Sequence, residues 1–131
     1  MTIAEVSERY EMSADTLRYY ERIGLFPPVP RDKNGIRNYD DESCGWIEFI
    51  RCMRSAGIQI EALIEYVRLY HQGSKTNEAR RQILNEQREL LQNKITEMQT
   101  ALDRLNYKID NYDRILSDGK MCKTKKKAAA E

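Results

Sequence analysis

Residues 13–39 read SADTLRYYERIGLFPPVPRDKNGIRNY, and this stretch decides the fold. Ser13 is a residue type that accepts the orphan N–H groups of a helix start, and Asp15 adds a favourable charge in the first turn. The spacing predicts a helix to about Ile23, with Leu17 and Ile23 facing inward. Gly24 suits the left-handed position past its end, and Pro27-Pro28 forbid continuation. Upstream, Thr2-Ile3-Ala4-Glu5 reads as a capping box for a shorter helix with Ile3, Val6 and Tyr10 on its inner face. Two short helices so closely joined make residues 2–24 a helix-turn-helix candidate.

Downstream, Asn34-Gly35 predicts a type I′ hairpin turn, which needs positive φ at both positions. Two short strands are expected within residues 29–39, with Arg31, Lys33 and Arg37 near the tip. Asp40 or Asp41 then caps a third helix over residues 41–56, whose apolar stripe is Trp46, Phe49, Ile50 and Met53. Gly57 ends it. Ile60, Leu63, Ile64, Val67 and Tyr70 predict a fourth helix over 59–72, stopping near Gly73.

From Thr76 to Ser117 there is neither Gly nor Pro. Leu84, Leu91, Met98, Leu105 and Tyr112 recur every seven residues. So do Ile95, Leu102, Ile109 and Leu116, offset by four, with Arg88 as the one break. These are the two seam positions of a coiled coil. A helix of that length is a rod of roughly 60 Å at about 1.5 Å per residue. Four short helices cannot cover such a seam, so a partner helix is expected, and a second copy is the simplest partner. A hairpin-like self-fold is the alternative, but no turn signal interrupts the pattern.

The composition sets bounds. The chain has 131 residues, 33% charged and 40% apolar, enough for one small core with an extension. No apolar run approaches the roughly 18 residues of a membrane span, and MTIAEVSERY lacks a secretory h-region. Three cysteines at irregular spacing are no disulfide framework, so a reducing, cytoplasmic setting is expected. His71 is the sole histidine. There is no glycine-rich phosphate loop and no nucleophile–base pair, so no catalytic residue, cofactor or enzyme activity is expected. The net charge of +1 conceals a net −2 over residues 1–57, −1 over 58–119 and +4 over 120–131. Residues 119–131 read as a flexible Lys-rich tail, a supplementary DNA contact being the alternative. Within the acidic head, residues 18–37 hold Arg18, Arg22, Arg31, Lys33 and Arg37 against only Glu21 and Asp32.

In a helix-turn-helix, the second helix enters the major groove of duplex DNA. Here Thr16, Arg18, Tyr19 and Arg22 are left for the outside, with Tyr20 on the boundary. Arginine can fork onto guanine or phosphate, and tyrosine hydroxyls suit phosphate oxygens. The basic hairpin could straddle the backbone as a wing. A twofold dimer would present two such heads to a near-palindromic site of double-stranded DNA. The competing reading from another class is a coiled-coil interaction protein without DNA function.

The segment TLRYYERIGLFPPVPRDKNGIRNYDDES strongly resembles the N-terminal signature of MerR-type transcriptional regulators, through RYYE-x-x-GL followed by R-x-x-x-G-x-R-x-Y. The resemblance extends more loosely along the long helix. It implies a mainly α fold: a winged helix-turn-helix domain over residues 1–74, then a long coiled-coil dimerisation helix over 75–118 whose pairing is antiparallel. It implies that Arg18, Tyr19 and Tyr20 lie in the recognition helix. Arg31, Asn34, Gly35, Arg37 and Tyr39 match the first wing. The loop 55–59, ending at Gln59, matches a second. It also implies a dimer that bends and untwists an over-long promoter spacer for RNA polymerase, an energetics of DNA deformation.

The signal is less legible. Thr76-Asn77-Glu78-Ala79 carries no cysteine where metal-sensing relatives place one, and the lone thiol Cys122 cannot complete a metal site. Cys44 and Cys52 stand about 12 Å apart along one helix axis, too far to chelate or bond together. The sequence beyond the long helix offers no large ligand domain of the kind drug-binding relatives carry. Cys52 lies between Arg51 and Arg54, about 110° from the centre of its helix's apolar stripe, a setting that favours a reactive thiolate. Its position resembles the single cysteine of the AdhR- and NmlR-like branch, which answers aldehyde and thiol stress. Cys52 is therefore the expected electrophile or redox sensor. The alternatives are a regulator answering a metal or small ligand, and a Cys52 that merely fills a helix junction.

Overall fold

The computed structural model describes residues 1–119; the expected Lys-rich tail and Cys122 lie outside the described residues. Five α-helices follow in order: α1 (Ile3–Tyr10), α2 (Ala14–Ile23), α3 (Asp41–Ser55), α4 (Ile60–His71) and α5 (Asn77–Gly119), with one 3₁₀ turn, Ser74–Thr76, before α5. No helix among the described residues is long and apolar enough to cross a membrane. The chain divides into two compact units, Met1–Leu91 and the part from Gln92 onward.

The first unit follows its local signals closely. Thr2 and Glu5 form the reciprocal capping box, at 3.2 Å and 2.7 Å. α1 ends at Glu11, held left-handed at φ 54°, where Met12 N–H donates to the Ser7 carbonyl at 3.1 Å. Ser13 caps α2 by accepting from Thr16 N–H at 3.0 Å. Gly24, at φ 87°, turns the chain while Leu25 N–H donates to the Tyr20 carbonyl at 2.9 Å. Asp40, rather than Asp41, caps α3 through Ser43 N–H at 2.9 Å. α1 packs on both α2 and α3. Val6, Leu17, Leu25, Phe26, Val29, Tyr39, Ile50, Ile58 and Leu63 close into one core.

Two expectations need correction here. The predicted type I′ hairpin with two strands is instead a tight loop with a single bridge, Arg31 to Arg37, and no strand among the described residues. Gly35 has φ 79°, but Asn34 keeps a negative φ. The cause is Asp32. Its carboxylate accepts from Asn34 N–H at 2.8 Å and Ile36 N–H at 3.0 Å, an Asx turn that the dipeptide signal ignores. Gly35 N–H closes on the Asp32 carbonyl at 2.9 Å, and Asp32 N–H on the Ile36 carbonyl at 2.8 Å. That is a type I turn followed by a left-handed glycine.

The second correction concerns α3. Its innermost residue is Ile47, fully buried, which the stripe of Trp46, Phe49, Ile50 and Met53 leaves out. α3 is apolar on two sides. Ile47 and Ile50 face the core, while Trp46 and Phe49 meet Tyr66 and Tyr70 of α4. Trp46 and Tyr70 stand edge to face, with centroids 5.0 Å apart.

Thr76 is buried at the entrance to α5, its hydroxyl donating toward the Leu69 carbonyl at 2.7 Å and lying 2.8 Å from that of Gly73. In the second unit the heptad residues Ile95, Met98, Leu102, Leu105, Ile109, Tyr112 and Leu116 are all exposed, Met98 to 70%. Of the two earlier seam positions in the first unit, Leu84 is exposed and Leu91 half-buried.

Candidate nucleic-acid interface

α2 turns Arg18, Tyr19 and Arg22 outward because its inward face is taken up by Leu17, Tyr20 and Ile23. Arg18 is exposed, donating to Asp15 at 3.0 Å. Tyr19 is 45% exposed, and the Arg22 guanidinium lies over its ring at 5.2 Å. Thr16 is half-buried, its hydroxyl 2.8 Å from that of Ser13. Tyr20 packs against the core, which settles its boundary position toward the inside.

The hairpin is hung from this helix by Glu21. One carboxylate oxygen accepts from Arg37 Nε at 2.7 Å and the other from the Val29 N–H at 2.8 Å. Arg31 donates to the Gly35 carbonyl at 2.7 Å, and Lys33, Asn34 and Gly35 stand exposed at the tip.

Beneath them lies Tyr39, only 1% exposed, its hydroxyl buried with no hydrogen-bond partner among the described residues. Of the two readings open for Tyr39, a wing contact or a cover for the base of the loop, its burial in the core fits the second. Burial pushes its phenol up. Arg37, Arg18 and Arg31 pull it down, and Glu21 adds to the rise. The charges of Arg37 and Arg31 on the loop, of Arg18 on α2 and of Glu21 thus all act on one buried ring.

The second expected contact region is the turn between α3 and α4. Gln59 is exposed at the start of α4, with no side-chain cap bond. Arg54 holds this turn by donating from Nη1 to the Ile58 carbonyl at 2.5 Å. Glu21 and Arg54 were not among the expected site residues. The signal for Glu21 was its place as one of only two acids amid five cations; Arg54 left none, since its role depends on where the turn folds.

Cys52 is exposed on α3 and Cys44 half-buried. The arginines beside Cys52 in sequence are engaged elsewhere, Arg51 with Glu11 at 3.7 Å and Arg54 with Ile58. Among the described residues no group of three or more His, Cys, Asp or Glu side chains is placed to hold a metal ion.

A helix pair whose second member projects arginine and tyrosine, with a basic hairpin bolted to that member, defines a winged helix-turn-helix DNA-binding head. Residues 1–69 match the MerR HTH regulatory protein family, and residues 45–107 match the MerR DNA-binding family. The chain belongs to the MerR family of helix-turn-helix regulators. It is 56% identical over 91 residues to the HTH-type transcriptional regulator AdhR of Bacillus subtilis, a match covering 70% of this chain and 65% of that one. The chain thus spans just under two thirds of that relative's length. It is 51% identical to a MerR family regulator of Listeria monocytogenes, with a TM-score of 0.88 and 92% of each chain covered. It is 30% identical to HiNmlR, a MerR family regulator lacking the sensor domain whose crystal structure holds promoter DNA; the TM-score is 0.78, with 90% and 94% covered. These relatives are regulators, not enzymes.

Proposed function

We propose that the chain is a homodimeric, sequence-specific transcription regulator. Two copies join along α5, grip a near-palindromic promoter element, and activate it by bending and untwisting an over-long spacer for RNA polymerase. The observation that carries the DNA reading is the tie between α2 and the basic loop: Glu21 takes Arg37 Nε on one carboxylate oxygen and the Val29 N–H on the other, with Arg18 exposed on the helix and Arg31 exposed on the loop. Guanidiniums on a helix and on the loop tied to it suit the phosphate backbone. Smooth bending of a 20–30 base-pair site costs on the order of 1–6 kcal/mol, which two linked heads offset better than one. The dimer is supported by the exposed heptad stripe of α5 and the physical need to cover it. HiNmlR, seen with promoter DNA, supports the same role here.

The inducing signal is an electrophile, an aldehyde or an oxidant acting at Cys52, whose exposure leaves it open to reagents. With an aldehyde, the sulfur bonds to the carbonyl carbon and the thiol proton ends on the former carbonyl oxygen, giving a hemithioacetal with no leaving group. A free thiol of this kind suits a reducing cytoplasm. Titration of a fragment of the chain's own promoter in a gel shift tests the DNA reading. Arg18→Ala with Arg37→Ala abolishes the shift while the dimer persists. Cys52→Ser removes induction by formaldehyde or diamide in a reporter strain; full induction of that variant overturns the thiol reading.

A further inference from the structure

We propose that Glu21 is a positioning residue that locks the recognition helix to the wing and so sets discrimination between operator and random DNA. The inference rests on the DNA-binding reading above.

The wing has little of its own to hold it. Beyond the Arg31–Arg37 bridge and its turn, Asn38 N–H donates to the Pro30 carbonyl at 2.7 Å and Arg31 to the Gly35 carbonyl at 2.7 Å, while at the base the Met1 backbone exchanges two bonds of 2.8 Å with Tyr39. A two-residue ribbon of that kind is marginal by itself. Residues 27, 28 and 30 are prolines without an N–H, so Val29 offers the one backbone donor of that run, and Glu21 takes it. The other carboxylate oxygen takes Arg37 Nε from the returning arm. Each oxygen therefore holds one arm of the wing, and both spring from α2. The pair is largely enclosed, with the Glu21 side chain 12% and the Arg37 side chain 23% exposed. Breaking it leaves a buried donor without a partner.

The charge argues in the opposite direction. A carboxylate in a guanidinium cluster works against phosphate attraction, so plain electrostatics would favour its loss. Its presence is explained by geometry. It turns the Arg37 guanidinium and fixes the spacing between helix and wing, which a distorted duplex must meet and a random one does not.

The two roles have opposite signs in one experiment. Full-length protein is titrated by fluorescence anisotropy against the inverted repeat of its own promoter and against a scrambled duplex, across a salt series. Glu21→Ala is expected to lose about tenfold or more in the operator-to-scrambled affinity ratio. Scrambled DNA is bound as well as before or a few-fold more tightly, because a negative charge has gone. Glu21→Gln falls between, since an amide has one acceptor oxygen for two donors. Glu21→Asp, too short to span both, behaves like Glu21→Ala. Without DNA, hydrogen exchange at the Val29 amide accelerates in Glu21→Ala while the α2 amides stay protected. Loss of operator and scrambled binding in parallel, or an unchanged ratio in both Glu21→Ala and Glu21→Gln, overturns the proposal. A wild-type chain that does not discriminate overturns the DNA reading instead, and the Val29 exchange then still reports whether Glu21 holds the wing.

Discussion

Arg54 Nη1 donates to the carbonyl of Ile58 at 2.5 Å, spanning the turn that joins α3 to α4. The bond sits where α3 ends, beside Gly57 at φ 84° and the Ile58 N–H bonded to the Met53 carbonyl at 3.0 Å. Arg54 Nε is buried with no hydrogen-bond partner among the described residues. Arg54→Met is expected to lower unfolding free energy by about 1–2 kcal/mol, read by urea denaturation, by removing this bond from a half-buried carbonyl. Amides of residues 55–59 should exchange faster, and Arg54→Lys should recover part of the loss.

The orphaned Tyr39 hydroxyl makes an unusual prediction. A buried hydroxyl without a partner costs folding free energy, while the ring beneath it fills the core. Tyr39→Phe should leave stability unchanged or raise it by about 1 kcal/mol. Operator affinity should stay within about twofold. A loss of tenfold or more in anisotropy titrations would mean that the hydroxyl reaches a phosphate in the complex.

The stripe on α5 predicts its own disruption. Leu102 is an exposed apolar residue at mid-seam, and a lysine there puts a charge where the partner's apolar side chains should lie. Leu102→Lys is expected to weaken self-association about a hundredfold in analytical ultracentrifugation. Operator binding should fall with it, while the fold of the head, read by tryptophan fluorescence from Trp46, persists.

Acid should loosen the helix starts. The carboxyls of Glu5 and Asp40 are both held below their usual values, chiefly by hydrogen bonds from the Thr2 and Ser43 backbones respectively. A carboxyl with a lowered folded pKa contributes stability above its unfolded value and loses it as pH falls through the folded one. Tm should therefore decline as pH drops from about 5 to about 3. Asp40→Asn keeps a capping acceptor but no titration, so its decline should be shallower over the same range.

The readable parts of this chain were those in which neighbours along the backbone decide. The Thr2–Glu5 capping box, Ser13, Gly24 and the helix spans within a residue or so each depend on a turn or two of chain. The RYYE and R-x-x-x-G-x-R motifs carried family and fold class with them. Asn34-Gly35 misled because the Asp32 carboxylate, two residues earlier, supplied acceptors that favoured another turn. Ile47 escaped because a helix packed on two sides has no single stripe to count.

Helix starts, stops and the apolar heptad stripe of α5 were set by local backbone preference and periodicity, which need no tertiary neighbour. The burial of Tyr39, the bond from Glu21 to Arg37 sixteen residues on, and the hold of Arg54 on its turn were settled only when the chain folded. The reason is physical. Desolvation and charge pairing depend on distances through space, and a motif that names an arginine or a tyrosine leaves open whether its polar atoms face solvent or another side chain.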